Sequence, residues 1–326
     1  MLFTRRKDTR LNPIAALPIL LLLVHAAPAA SACRQVRGAT PDAIASAGAP
    51  RYGVRVELVS LFATVLDARG KPVPGLGEED FLVYEDEVQQ KISQFSREYV
   101  PLSVVILLDT SSSMSGTKLE DAGKSLREFL KRLNPGDEAM LIMFRTRPTV
   151  LQPFTRDMEK VRQELKNLEA KGTTGLYDTI QAALDEAATS NNKRHALLLL
   201  SDGINTCGKA HIEDTVERLR RQGVELFAIG LESSLPEDER ERETTRTVLR
   251  ELTHSAGGEA FIVRNRRELN RICRTISDRM HNQYSLGYYP RKGYGTRWRS
   301  IRIETRAQGL RILPSKRGYY PVGPAR

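Results

Sequence analysis

The chain reads as an α/β protein: a doubly wound, mostly parallel sheet carrying an accessory antiparallel β unit from its N- and C-terminal flanks. Three observations predict this. Val104-Val105-Ile106-Leu107-Leu108 and Ala196-Leu197-Leu198-Leu199-Leu200 are unbroken aliphatic runs, as expected of strands buried on both faces. Between residues 101 and 283 such runs alternate with segments of helical period, the pattern of parallel βαβ crossovers. The two flanks instead alternate apolar with polar residues and are broken by glycine and proline, as in short antiparallel strands.

Taken in order, residues 33–50 are small, polar and aperiodic, so they read as a tether. Residues 51–98 form the first β unit, with extended runs at 54–58, 61–66, 81–86 and 91–95 and a turn-rich break at 67–75. The α/β segment follows. Helical spacing predicts helices over 118–133, 157–168, 177–188, 212–222, 237–254 and 267–281. The strands between them are 140–144, a short edge strand near Val150-Leu151, 196–201, 224–229 and 260–263. Residues 284–326 return to short alternating runs with turns at Gly293, Gly295 and Gly309. Neither flank has enough strands for a stable sheet of its own, so the two are expected to pack together, with the α/β segment inserted between them.

The first 32 residues differ from the rest. Arg5, Arg6, Lys7 and Arg10 precede an apolar core at 14–24, and small residues run to Ala32, which is the order of a secretory signal. The core is shorter than the roughly 20 apolar residues of a membrane span, and the mature chain is expected to contain no transmembrane helix. Cleavage after Ala29 or after Ala32 both suit the small residues; the second leaves Cys33 first, and Ala30-Ser31-Ala32-Cys33 resembles a bacterial lipoprotein box except that Ala30 stands where Leu is usual. Cys33 is therefore a candidate lipid-anchor position. The protein is expected to be secreted or held in the periplasm or cell envelope. The leader holds four basic residues and one acid, so the formal charge of +10 falls by a net three to +7 without it. That charge permits nucleic-acid binding, but export argues against it. Cys207 and Cys273 could pair in an oxidising compartment; spacing alone does not decide it.

The chemistry concentrates where buried strands end, the place at which open α/β sheets bind ligands. Asp109-Thr110-Ser111-Ser112-Ser113 puts a carboxylate and two hydroxyls on alternate residues of a tight loop, hard oxygens that suit Mg²⁺, with Mn²⁺ or Ca²⁺ as related candidates. Gly172-Thr173-Thr174-Gly175 brings hydroxyls to the head of a helix, and Ser201-Asp202-Gly203 brings a second carboxylate off a strand. Each piece alone has a plainer reading: an acid at a strand end forms turns, Ser111 or Ser113 can cap the next helix, and Asp178 suits a helix N-terminus. Gly123-Lys124-Ser125 lacks the leading glycine of a phosphate loop and lies in a predicted helix. His195, His211, His254 and His281 have no ligand or triad spacing.

Together the three loops resemble the metal ion-dependent adhesion site of von Willebrand factor type A domains, over about residues 101–283. The resemblance implies a Rossmann-like fold in which Ser111, Ser113 and Thr174 offer direct oxygens to the cation while Asp109 and Asp202 hold its waters. Ser112 stands where Gly is common, and Thr173 where a second Gly is common, so Thr173 competes with Thr174 as the ligand. Glu79-Asp80-Phe81, Val83-Tyr84-Glu85, Phe95-Ser96-Arg97-Glu98, Tyr284-Ser285-Leu286-Gly287-Tyr288 and Arg317-Gly318-Tyr319-Tyr320 further resemble an exported family of such proteins known from acidobacterial genomes. The resemblance implies a noncatalytic, cation-dependent protein-binding module whose partner supplies an acidic side chain. It also implies that the helix at 267–281 is the counterpart of one that slides in adhesive relatives. The alternatives are a metal-assisted hydrolase, for which the loops supply no general base, and an envelope scaffold with a vestigial site.

Overall fold

The computed structural model describes residues 57–166, 168–202, 205–231, 239–291 and 295–321. The residues read as a leader and a tether, together with Val54 and Val56, lie outside them. Among the described residues the α/β part has six strands: β5 (Leu102–Asp109), β6 (Glu138–Phe144), β7 (Pro148–Thr155), β8 (Arg194–Ser201), β9 (Glu225–Leu231) and β10 (Ala260–Val263). Its order is β10-β9-β8-β5-β6-β7, parallel throughout except for the antiparallel edge strand β7. The helices are α1 (Thr117–Leu130), α2 (Met158–Glu164), α3 (Leu176–Ala187), α4 (Ile212–Gln222), α5 (Glu239–Ser255) and α6 (Arg266–His281).

The unbroken aliphatic runs have a direct physical outcome. Successive side chains of a strand point to opposite faces, and here both faces are covered. Val104, Ile106, Leu108, Ala196, Leu198 and Leu200 pack with α1, α2 and α6. Val105, Leu107, Leu197 and Leu199 pack with α3, α4 and α5 on the other face. Each such Val, Leu or Ile side chain, at 0% exposure, contributes roughly 1.5–3 kcal/mol of burial energy, which fixes the strand positions and hence the loops that follow them.

The flanks do pack together. β1 (Val59–Leu66), β2 (Phe81–Glu85), β3 (Val88–Gln90) and β4 (Ile92–Ser96) precede the α/β part; β11 (Tyr284–Tyr288), β12 (Arg299–Thr305), β13 (Arg311–Pro314) and β14 (Gly318–Tyr319) follow it. They form two four-stranded sheets, ordered β13-β1-β11-β4 and β14-β12-β2-β3, each mixing strands from both flanks. Leu61, Ala63, Val65, Val83, Leu286 and Ile301 fill the space between them, and Phe81, Phe95 and Tyr284 cluster with ring centroids 5.0–6.1 Å apart.

Several boundaries differ from the sequence reading. Among the described residues the first strand begins at Val59, past Leu58. β7 runs for eight residues although Pro148 and Pro153 lie in it; an edge strand tolerates proline because it need not donate on its outer side. α2 is only seven residues long, capped by Asp157, whose Oδ1 accepts the Glu159 amide at 3.1 Å. Cys273 is buried in the α6 core, and both Cys273 and Cys207 are free thiols.

Candidate functional site

Pairing along the sheet determines which residues meet at its carboxyl edge. Leu108 of β5 lies opposite Leu200 of β8, so the next residues, Asp109 and Ser201, end side by side. Ser201 Oγ donates to Asp109 Oδ2 at 2.6 Å. After Asp109 the chain turns through a single 3₁₀ turn at Ser112–Met114, with Met114 fully buried as its anchor. The turn folds the loop back on its own carboxylate: the Ser111 amide donates to Asp109 Oδ1 at 2.8 Å, Ser111 Oγ and Ser113 Oγ lie 3.0 Å apart, and Ser113 Oγ donates to Asp202 Oδ1 at 2.7 Å.

Four of the five candidate residues thus form one hydrogen-bonded chain, from Asp109 through the Ser111 amide and the Ser111 and Ser113 hydroxyls to Asp202. The capping alternative for the serines does not hold here. Gly116 precedes α1, Ser111 makes no side-chain cap bond, and Ser113 spends its proton on Asp202.

The fifth residue, Thr174, is buried in the adjoining loop. That loop is tied to the serine loop through backbone bonds, from Ser112 N to Gly172 O at 3.0 Å and from Lys171 N to Thr110 O at 2.8 Å. Gly172 adopts φ +84°, a left-handed conformation that favours glycine. Gly175 is held for a different reason: a Cβ there would stand 2.8 Å from the Thr146 carbonyl oxygen. Thr174 itself is gripped by Thr206, whose Oγ1 accepts the Thr174 amide at 2.9 Å and whose own amide donates to Thr174 O at 2.9 Å. Thr173 lies at the exposed rim, its hydroxyl 3.0 Å from Thr146 Oγ1 and 3.1 Å from Cys207 Sγ.

The sequence reading missed Ser201 and Thr206 as parts of this site. Ser201 was recoverable from strand register, as the neighbour of Asp202 on a strand paired with β5; Thr206 sits in a loop with no local signature. Asp178 does more than face a helix terminus: its carboxylate accepts the amides of Lys209 at 3.0 Å and Ala210 at 2.8 Å, holding the segment after Cys207 against α3.

Asp109 and Asp202 are both 0% exposed. Burial pushes the Asp109 carboxyl up to about 6; the bonds from Ser201 and Ser111 oppose that shift, and the charge of Asp202 adds to it. Two buried carboxylates joined by hydroxyls form a set of hard oxygens with negative charge to offset, and such a donor set fits a small divalent cation.

The von Willebrand factor type A domain family model matches residues 103–275, and the chain belongs to that family. Among curated relatives, inter-alpha-trypsin inhibitor heavy chain H4 of Homo sapiens is 28% identical over 146 residues, 40% of this chain and 16% of that protein. Voltage-dependent calcium channel subunit alpha-2/delta-2 of Homo sapiens is 26% identical over 145 residues, 40% of this chain and 12% of that protein. The chain therefore spans less than a fifth of either relative. Among solved structures, a von Willebrand factor type A protein from Catenulispora acidiphila aligns at TM-score 0.49 and 11% identity, covering 81% of this chain and 74% of that one. Among the described residues no helix is long and apolar enough to cross a membrane.

Proposed function

We propose that the protein is a noncatalytic binding module that holds a divalent cation, Mg²⁺ or a related ion, and through it an acidic side chain of a protein partner. The observation that carries this reading is the continuous chain Asp109–Ser111–Ser113–Asp202 at the carboxyl edge of the sheet. Ser111, Ser113 and Thr174 are the residues to hold the ion directly, with Asp109 and Asp202 orienting its waters, as the family resemblance implies. When bound, the ion supplies a positive charge and a coordination position open to a carboxylate oxygen. The protein's own part is to keep those hydroxyls in place before the partner arrives: Ser201 orients Asp109, Asp109 orients the Ser111 amide, and Asp202 orients Ser113.

The leader in residues 1–32 supports a place of action outside the cytoplasm, secreted or in the cell envelope, and Cys33 is the position at which a lipid anchor would attach. A relative named as a channel subunit is in keeping with a binding role.

Isothermal titration with Mn²⁺ and Mg²⁺ tests the site. The wild type is expected to bind one ion, and Asp109→Ala to lose that binding while keeping its circular dichroism spectrum. Undiminished binding by Asp109→Ala would refute the assignment. Partner retention on the immobilised protein should need Mg²⁺ and vanish both in EDTA and on Asp109→Ala; retention that is the same in all three conditions would leave the module without a metal-dependent role.

A further inference from the structure

One charge beside the serine loop has no part in the coordination proposed above. Lys118, in the first turn of α1, donates from Nζ to the backbone carbonyl of Ser113 at 2.8 Å and stands 3.8 Å from Asp202 Oδ2. Its side chain is only 27% exposed and that of Asp202 is 0% exposed, so their attraction is less screened than that of a surface pair. We infer that Lys118 is an internal counter-ion that weakens the centre's hold on a divalent cation and strengthens the loaded centre's hold on an anionic partner. The inference rests on the metal-dependent reading.

Charge sets both affinities. Asp109 and Asp202 together contribute two negative charges, which a divalent cation brings to zero. With Lys118 included, the loaded centre carries one net positive charge. An incoming cation therefore meets an ammonium already bound to the loop and binds less tightly than the two carboxylates alone would hold it. An incoming carboxylate meets a positive centre in place of a neutral one. Without a divalent ion, the same ammonium and the hydroxyls of Ser113 and Ser201 offset the two acids, so the loop keeps its shape and the ion enters a formed site. A lysine that only propped up the Ser113 carbonyl would behave differently: its loss would loosen the loop and weaken cation and anion binding together.

The test measures both affinities on the full chain. Mn²⁺ binding is read by isothermal titration, and acetate binding to the Mn²⁺-loaded protein by the change in water proton relaxation. Lys118→Met is expected to bind Mn²⁺ about tenfold more tightly and, once loaded, acetate about tenfold more weakly. Lys118→Gln, which retains a donor for the Ser113 carbonyl, should shift both affinities in the same directions. Lys118→Arg keeps the charge and should stay within about twofold of wild type on both. Affinities that fall together, or that do not move, overturn the inference while leaving the metal site standing. A wild type that binds no Mn²⁺ overturns the inference and the metal-dependent reading at once. Thermal unfolding in EDTA checks the fold of each variant.

Discussion

Replacing Arg299 by Met should unfasten the β unit. Glu85 at the end of β2 is 3% exposed and accepts three bonds from three other strands: from Tyr288 Oη of β11 at 2.7 Å, Tyr319 Oη of β14 at 2.9 Å and Arg299 Nη1 of β12 at 3.0 Å. Arg299 is the positive charge of the group. Burial and the bond to Glu85 raise the Tyr288 hydroxyl well above the usual phenol range and the Tyr319 hydroxyl to about 12, so both remain donors through physiological pH. At a separation of 3.0 Å and an effective dielectric constant of about 20, the ion-pair attraction is roughly 5 kcal/mol. Removing one partner strands a buried charge and costs about 3–5 kcal/mol. With about 2.1 cal/mol/K of unfolding entropy per residue, each kcal/mol moves the melting temperature of a chain of this size by roughly 1.5–2 °C, so Arg299→Met should melt about 5–10 °C lower by calorimetry. Glu85→Met with Arg299→Met removes both charges and should recover most of that loss. A single variant that melts within 2 °C of wild type would refute the argument, as would a double variant no more stable than the single one.

Two further predictions concern stability. Lys316 is half-buried, its ammonium 5.9 Å from the Tyr319 ring centroid, and burial brings its amine down to about 8. Between that value and its ordinary value near 10.5 the unfolded chain binds more protons, so stability should rise with pH from about 8 toward 10. Lys316→Met should abolish this rise in denaturant titrations and stabilise the protein by about 2 kcal/mol at pH 7; a wild-type curve parallel to that of the variant would count against it. Glu87, at φ +62° beside Asp86 at φ +48°, occupies a two-residue hairpin turn that prefers glycine at its second position. Glu87→Gly is expected to raise stability by about 0.5–1 kcal/mol even though it loses the exposed pair with Arg302, and a lower melting temperature would show that the pair outweighs the backbone.

The parallel strands and the site loops were legible in the sequence because their signals are local. A run such as Leu197-Leu198-Leu199-Leu200 can satisfy its side chains only between two helical layers, and an acid directly after it must lie at the sheet edge. What escaped notice depends on partners far away in the chain. β3 has only Val88-Gln89-Gln90, preceded by Asp86-Glu87 with no glycine to mark the turn; it exists because β2 offers it a ladder. The hydroxyls of Tyr288 and Tyr319 have no partner nearby in sequence and meet Glu85 only because β11 and β14 are brought to the end of β2. His281 had no recognisable spacing, since its partner Asp137 is 144 residues away, with Nε2 and Oδ2 at 2.7 Å. The Asp137 carboxylate also accepts Tyr99 Oη at 2.5 Å and the amides of Leu102 and Asn134.

That last cluster bears on how the site communicates with the β unit. The resemblance to adhesive relatives suggested that the helix now seen as α6 slides when a ligand binds. In this protein the C-terminal turn of α6 is bound from three directions. Arg194 Nη2 donates to Met280 O at 2.9 Å, Thr64 Oγ1 of β1 donates to Arg279 O at 3.1 Å, and His281 meets Asp137 at the base of the sheet. Arg279 also pairs with Glu259, just ahead of β10. A slide by one turn would break all four contacts, at a cost of several kcal/mol when each is worth roughly 0.5–1.5 kcal/mol net and those to charged groups more. Completing a coordination shell with one carboxylate would have to supply that difference in affinity between the two positions. The same contacts clamp the helix end to Arg194, whose guanidinium also lies 5.0 Å from the Phe62 ring of β1. A slide of α6 would therefore either break its bonds to Arg194, Asp137 and Glu259 or draw Thr64 of β1 along with it.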